Sequence, residues 1–292
     1  MILRTLFVAL VSFAVLAQPA ARKSIEVMGQ KLNYLEAGSP ANPAVVLLHG
    51  LGGDTSNWAA NIGVLAQQYH VLVLDQIGFG NSEKPALNYR IGTLVDFLHG
   101  FLKKTGVAKA TLVGNSLGGW TAMSYTLAHP AQVEKLVLVD SAGYSPARLG
   151  TPPLVRDQIR GLNPSTIEGA KMVLATILYN KMLVNDVSAE AYLVEHIRKG
   201  DSPTINAFID SILQNEDVVD GKLGGIRAPT LIVWGKQDAL TPLLGGEAMA
   251  QDIPGSKLVV LDKCGHVPMM ECSAAFNKTL LGFLGGSAEA QK

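Results

Sequence analysis

Short apolar runs rich in β-branched residues recur along the chain, and each stops at a polar or flexible residue. Residues 44–48 (AVVLL) end at His49-Gly50, and 71–74 (VLVL) end at Asp75. Residues 111–113 (TLV) end at Gly114, and 135–139 (KLVLV) end at Asp140. Residues 230–234 (TLIVW) end at Gly235, and 257–261 (KLVVL) end at Asp262. Runs with no polar alternation suit strands covered on both faces, as in a parallel sheet. Residues 31–36 add an early strand. Helical spacing is read over 58–68, 91–105 and 117–128, so strands and helices alternate. In open α/β sheets of this kind, sites form beyond the carboxyl ends of the strands.

The alternation stops between residues 144 and 223. Helices are expected there over 153–161, 165–178, 188–199 and 203–214. A helical insertion between two strands would sit over the carboxyl edge of the sheet as a cap. There is no internal repeat and no low-complexity tract, and the polar tail 285–292 is expected to fray.

The length, 292 residues, is enough to bury a large core in one α/β unit. Charged residues are only 16% of the chain, and 24 basic residues balance 24 acidic ones. No basic block stands out, so the chain has no electrostatic footprint for nucleic acid. Two cysteines cannot make a disulfide framework, and His and Cys nowhere cluster at zinc spacing. The start, MILRTLFVALVSFAVLA, has Arg4 before an apolar run broken only by Ser12. That run is too short to span a bilayer comfortably and reads as a secretory leader over residues 1–17. Cleavage at Ala20 or Ala21 is the alternative, and an uncleaved anchor or first helix is the competing reading. The chain is thus expected to be exported, periplasmic or secreted, with no stable membrane anchor after cleavage.

Gly114-Asn115-Ser116-Leu117-Gly118 matches the nucleophile elbow G-x-S-x-G, with a strand before it and a helix after it. An ordinary turn with Ser as a helix cap is the bland alternative. The glycine-rich turn His49-Gly50-Leu51-Gly52-Gly53 follows a strand and lets a backbone N–H point into a site. The N–H groups of Leu51 and Leu117 are the candidate oxyanion hole. A phosphate loop is discounted, because the turn lacks both the Lys-Ser/Thr and the G-x-G-x-x-G spacing. Asp238 and His266 follow two later strands, and the order Ser116, Asp238, His266 is that of a hydrolase triad. Asp140, at the end of another strand, is the alternative acid. The chemistry requires no metal or organic cofactor.

The segments LLHGLGG (47–53), DQIGFGNSEKP (75–85), GNSLGG (114–119), IVWGKQDALTP (232–242) and CGHVPMMEC (264–272) resemble the α/β-hydrolase-fold serine hydrolases of the capped type. The resemblance runs over about residues 25–284. It implies a mostly parallel eight-stranded sheet, a core at 25–143 and 224–284, and a helical cap at 144–223. It implies Ser116 as nucleophile, His266 as base and Asp238 as acid, acting on a small-molecule carboxylic ester through an acyl-enzyme. Carbon–carbon hydrolysis of aromatic ring-fission products is the alternative, and a non-catalytic binding protein on the same fold comes third. Ser at the nucleophile position argues against epoxide hydrolases and haloalkane dehalogenases. Val267, where ring-fission hydrolases often carry Trp, lowers that alternative. Arg148, Arg156, Arg160 and Arg198 are its possible anion binders.

Several further residues carry weaker expectations. His49 is read as bracing the oxyanion turn, Asn115 as a turn residue and Trp120 as packing at the pocket floor. Met172, Leu178, Tyr179, Met182 and Phe208 are read as cap core or pocket lining. Cys264 and Cys272 flank the His266 loop. Two free thiols are the expectation, with a disulfide as the alternative.

Overall fold

A computed structural model describes residues 20–286. The leader expected over residues 1–17, and residues 287–292 of the tail, lie outside the described residues. In chain order the elements begin with β1 (Ala21–Val27), β2 (Gln30–Ala37), β3 (Ala44–Leu48), α1 (Ala59–Leu65), β4 (His70–Leu74) and α2 (Ile91–Thr105). There follow β5 (Ala110–Asn115), α3 (Leu117–Ala128) and β6 (Val133–Val139). Five helices come next: α4 (Pro146–Leu149), α5 (Arg156–Arg160), α6 (Ile167–Ile177), α7 (Asp186–Lys199) and α8 (Ser202–Leu213). The chain closes with β7 (Thr230–Gly235), α9 (Leu243–Asp252), β8 (Lys257–Leu261), α10 (Pro268–Glu271) and α11 (Ser273–Leu284).

The strands form one eight-stranded sheet in the order β1-β2-β4-β3-β5-β6-β7-β8. β1 and β2 pair antiparallel, and every pairing from β3–β4 through β7–β8 is parallel. The central runs are apolar because both faces are covered. Val46, Leu72, Leu112 and Leu138 face one core cluster, and Val45, Val71, Val113 and Val137 face the other. Each such fully buried side chain contributes about 2 kcal/mol by removal from water.

β1 was absent from the sequence reading, which started the core at residue 25. Its text, ARKSIEV, carries charges, and only Val27 is buried, so an edge strand of this kind shows no apolar run. Met28 and Gly29, both at positive φ, turn it into β2. The short α4 was also missed, since four residues are too few for a helical period.

The register places the site. Leu48 pairs with Leu74 and Gly114, Asn115 with Val139, Val139 with Val233, and Gly235 with Leu261. The strands therefore end in step, and the residues that follow them share one edge. α6 and α7 pack on each other through a small cluster of Ala170, Leu174 and Ala189. α8 instead sends Ile205, Phe208 and Ile209 into the main core, with Phe208 stacked on Phe79.

Candidate active site

Ser116 is the single residue between β5 and α3, held at φ 54° and ψ −116°. A side chain enters that region only under constraint, at a cost of order 1–3 kcal/mol. The constraint is a close crossing of strand and helix. A Cβ on Gly114 would lie 2.1 Å from the Gly118 carbonyl oxygen, and one on Gly118 would lie 2.4 Å from that of Leu48. The backbone on either side of Ser116 is tied down. Its N–H donates to Val139 O at 3.0 Å, and its carbonyl accepts from Trp120 and Ala142.

Asp238 follows β7 and His266 follows β8. His266 Nδ1 lies 2.7 Å from Asp238 Oδ2, with both side chains nearly or fully buried. Thr241 Oγ1 donates to the same oxygen at 2.6 Å, and the N–H groups of Leu240 and Thr241 donate to Asp238 Oδ1. Burial works against ionisation of Asp238. The neighbouring His266 and the hydrogen bonds it receives outweigh that and hold the carboxyl below the usual carboxylate range. A carboxylate facing Nδ1 fixes the proton there, which leaves Nε2 as the basic nitrogen. The His266 backbone is held as well. Its carbonyl accepts from Asn115 Nδ2 at 3.0 Å, and its N–H donates to Ile177 O at 2.8 Å. Asn115, expected to be a turn residue, thus bridges the elbow to the His266 loop.

Asp140 is fully buried beside this pair. Its Oδ1 accepts from the Gly235 N–H at 2.8 Å, and its Oδ2 has no partner. One ligand-type atom each of Asp140, Asp238 and His266 lie within 4.8 Å of one another. That set could in principle hold a cation, but Asp238 and His266 already satisfy each other. The imidazole bonds to Asp238 and not to Asp140. Burial, and then the Asp238 charge, push the Asp140 carboxyl well up, against the pull of the Gly235 N–H. Of the two carboxyls, Asp140 is the one whose neutral form its surroundings favour.

Leu117 is the first residue of α3, so its N–H has no carbonyl one turn back. The turn carrying Leu51 lies against the elbow: a Cβ on Gly50 would lie 3.2 Å from Ser116 Cβ. His49 braces that turn. Its Nδ1 bonds Gly50 O at 2.7 Å, and its Nε2 accepts from the Gln76 N–H. Beyond it, Lys199 at the end of α7 lies 2.6 Å from Asp54 Oδ2 and donates to Gly52 O at 3.2 Å. Burial raises the Asp54 carboxyl, but Lys199 and the Ser56 N–H hold it far below the usual range.

Other expectations need correction. Met172, Tyr179 and Met182 are exposed, the last at 87%, so they neither form a core nor line a closed pocket. Amphipathic spacing misleads there because a short insert has only one face to bury. Three of the four arginines offered as anion binders are engaged: Arg148 with Asp252, Arg156 with Asp210, and Arg198 with Glu195. The indole N–H of Trp120 donates to Asp217 O. Cys264 and Cys272 are joined in a disulfide, with Cα atoms 6.1 Å apart, where free thiols were expected. The helix start at Pro268 folds the loop back and brings them together. Thr241, Glu271 and Lys199 were missed altogether. Thr241 and Glu271 lie inside the family-like segments 232–242 and 264–272, while no motif or spacing signal marks Lys199.

The alpha/beta hydrolase family model matches residues 45–279. The chain belongs to the alpha/beta hydrolase family. It is similar to a 2-hydroxymuconate semialdehyde hydrolase of Pseudomonas sp. (strain CF600), at 33% identity, covering 91% of this chain and 94% of the relative. Among solved structures it is similar to a membrane phospholipase A described as a bacterial virulence factor. That match has TM-score 0.80 and 31% identity, and covers 91% of this chain and 86% of the other. It is also similar to a meta-cleavage product hydrolase from Pseudomonas fluorescens IP01. There the TM-score is 0.81 and the identity 26%, with 91% and 98% of the two chains covered. At this level the chain is a serine hydrolase of the family.

Two expectations change on these relatives. The ester substrate is less well backed than the carbon–carbon alternative. The expectation of an exported chain is overturned by the curated relatives, which are a 2-hydroxymuconate semialdehyde hydrolase and a 2-hydroxy-6-oxononadienedioate/2-hydroxy-6-oxononatrienedioate hydrolase. Among the described residues, no helix is long and apolar enough to cross a membrane.

Proposed function

We propose that the chain hydrolyses a carbon–carbon bond beside a carbonyl in an acyclic, vinylogous β-diketone of the ring-fission type, with Ser116 as nucleophile. The observation that carries the nucleophilic half is the buried His266–Asp238 bond beside a strained serine. The substrate class is supported by the curated hydrolase matched over 91% of the chain. His266 Nε2 takes the Ser116 proton as Oγ adds to the carbonyl, and the oxyanion meets the N–H groups of Leu51 and Leu117. Cleavage expels a dienolate, whose carbon takes the proton from the His266 imidazolium. His266 then activates water, and the acyl group leaves Ser116 as a carboxylic acid. In this reading the helices between β6 and β7 act as the cap, and residues 25–143 and 224–284 as the core.

A second reading, hydrolysis of a carboxylic ester, is favoured by one feature of this chain. Arg148, Arg156 and Arg198 are paired with carboxylates, which leaves them poorly placed to receive a substrate carboxylate. The same steps apply, with an alcohol leaving in place of the dienolate. The two readings separate in one assay. Purified full-length chain is given 2-hydroxymuconate semialdehyde and, in parallel, p-nitrophenyl esters of increasing acyl length. A higher kcat/KM on the semialdehyde supports the first reading. Turnover of esters alone establishes the second.

A further inference from the structure

The imidazole of His266 is positioned by more than Asp238. Its loop, residues 264–272, is closed at both ends by the Cys264–Cys272 disulfide. Inside that closed loop, Glu271 turns its carboxylate back on three backbone N–H groups. Oε2 accepts from Gly265 at 2.9 Å and from Tyr179 at 3.0 Å, and Oε1 accepts from Asn180 at 2.7 Å. Gly265 immediately precedes His266. Tyr179 and Asn180 belong to the helical insert, just past the end of α6. A fourth bond joins the same two segments directly, from the His266 N–H to the Ile177 carbonyl.

The fit is close. A Cβ on Gly265 would lie 2.5 Å from Ile177 O, 2.8 Å from Tyr179 N and 3.0 Å from Glu271 Oε2. Residue 265 must be glycine for the insert to sit this near the base. Bonds from N–H groups to an ionised carboxylate are about twice as strong as neutral ones. One side chain therefore fixes the residue before the base and two residues of the insert at once.

We propose that Glu271 is a positioning residue that couples the insert to the base, so that the His266 imidazole is in place only while residues 177–180 are docked on its loop. The proposal rests on the reading of Ser116 and His266 as nucleophile and base, and the carboxylate acts through His266 without touching substrate. Docking of the insert thereby becomes a condition for activating Ser116. A substrate that displaced residues 177–180 would switch off the base along with it.

The test uses the full chain with Glu271→Gln and Glu271→Ala, and Lys171→Ala as a control. Lys171 pairs with Glu168 and Asp186 inside the insert and does not reach the His266 loop. The first readout is the rate of fluorophosphonate labelling at Ser116 across pH, which needs the base and no assumption about substrate. The second is amide hydrogen exchange. Both Glu271 variants should label more slowly, by up to about 100-fold for a base displaced by an ångström, with a displaced acid limb. The amides of Gly265, Tyr179 and Asn180 should lose protection together. Lys171→Ala should raise exchange only within α6 and α7, leave Tyr179 and Asn180 protected, and label at the parental rate. Parental labelling rates and pH profile in both Glu271 variants overturn the proposal, whatever their thermal midpoints. Loss of protection on one segment alone overturns it too. Should the parent chain fail to label at Ser116, the nucleophile reading falls, and the exchange data still decide the coupling.

Discussion

The two flanks of Ser116 are built by different means. On the flank proposed to hold the acid and base, position comes from directional hydrogen bonds: Asp238 and Thr241 on the imidazole edge, and Asn115 and Ile177 on the His266 backbone. On the flank proposed as the oxyanion hole it comes from close backbone packing around Gly50 and Gly118, braced by His49 and the Lys199–Asp54 pair. The insert reaches both flanks, through Ile177 on one and Lys199 on the other. An imidazole must be held in one tautomer and orientation, which only specific partners do. A backbone N–H needs only its chain path fixed, which sterics and one ion pair achieve. Loss of a single partner should accordingly cost far more on the first flank than on the second.

Asp238→Asn gives the largest expected effect. The amide keeps the shape but permits the wrong imidazole tautomer, a change that costs about 10⁴-fold in turnover in a comparable triad. Steady-state kcat in the folded variant checks it, and a mild loss would erase the contrast between the flanks.

Lys199→Met comes next. It leaves Asp54 without its cation, and the oxyanion turn is loosened rather than removed. Turnover should fall by less than the roughly 100-fold of deleting an oxyanion donor outright. Stability should fall by about 2 kcal/mol at neutral pH, the scale of a hydrogen bond to a charged group. The folded Asp54 pKa is strongly depressed, so its contribution is fully present above the unfolded value near 3.9 and is lost progressively as pH falls from there through the folded one. Urea midpoints of parent and variant should therefore draw together progressively as pH falls from about 4.

Asp140→Asn should do least. Burial and the Asp238 charge already favour the neutral form of Asp140, and an amide can keep the Gly235 bond while offering a donor toward Asp238. Turnover should stay close to that of the parent chain. The folded pKa is raised, so ionisation opposes folding as pH climbs from the unfolded value near 3.9 toward the folded one. The variant should gain thermal midpoint over the parent as pH rises from about 4. A severe kcat loss would move the acid role to Asp140.

The sheet was legible because its central strands are apolar on both faces. The run 44–48 coincides with the buried β3; the run 257–261 coincides with β8, an edge strand that is apolar in sequence though only partly buried. Ser116, Asp238 and His266 were legible because each follows such a run. β1 was not, since a charged edge strand has no periodic signature. The insert was hardest to read. Met182 at 87% exposed shows that apolar residues on short helices need not be core. Contacts such as Glu271 with Tyr179 and Asn180 join residues about 90 positions apart through backbone N–H groups, which no side-chain pattern encodes.

The central claim is that Ser116 is the nucleophile. Fluorophosphonate treatment of the parent chain and of Ser116→Ala, read by intact mass and peptide mapping, tests it most directly. The account predicts one adduct on the parent, mapped to Ser116. It predicts none on the variant, whose thermal midpoint stays near that of the parent because only a hydroxyl is lost. An adduct on another serine, or hydrolytic activity surviving in Ser116→Ala, would contradict it.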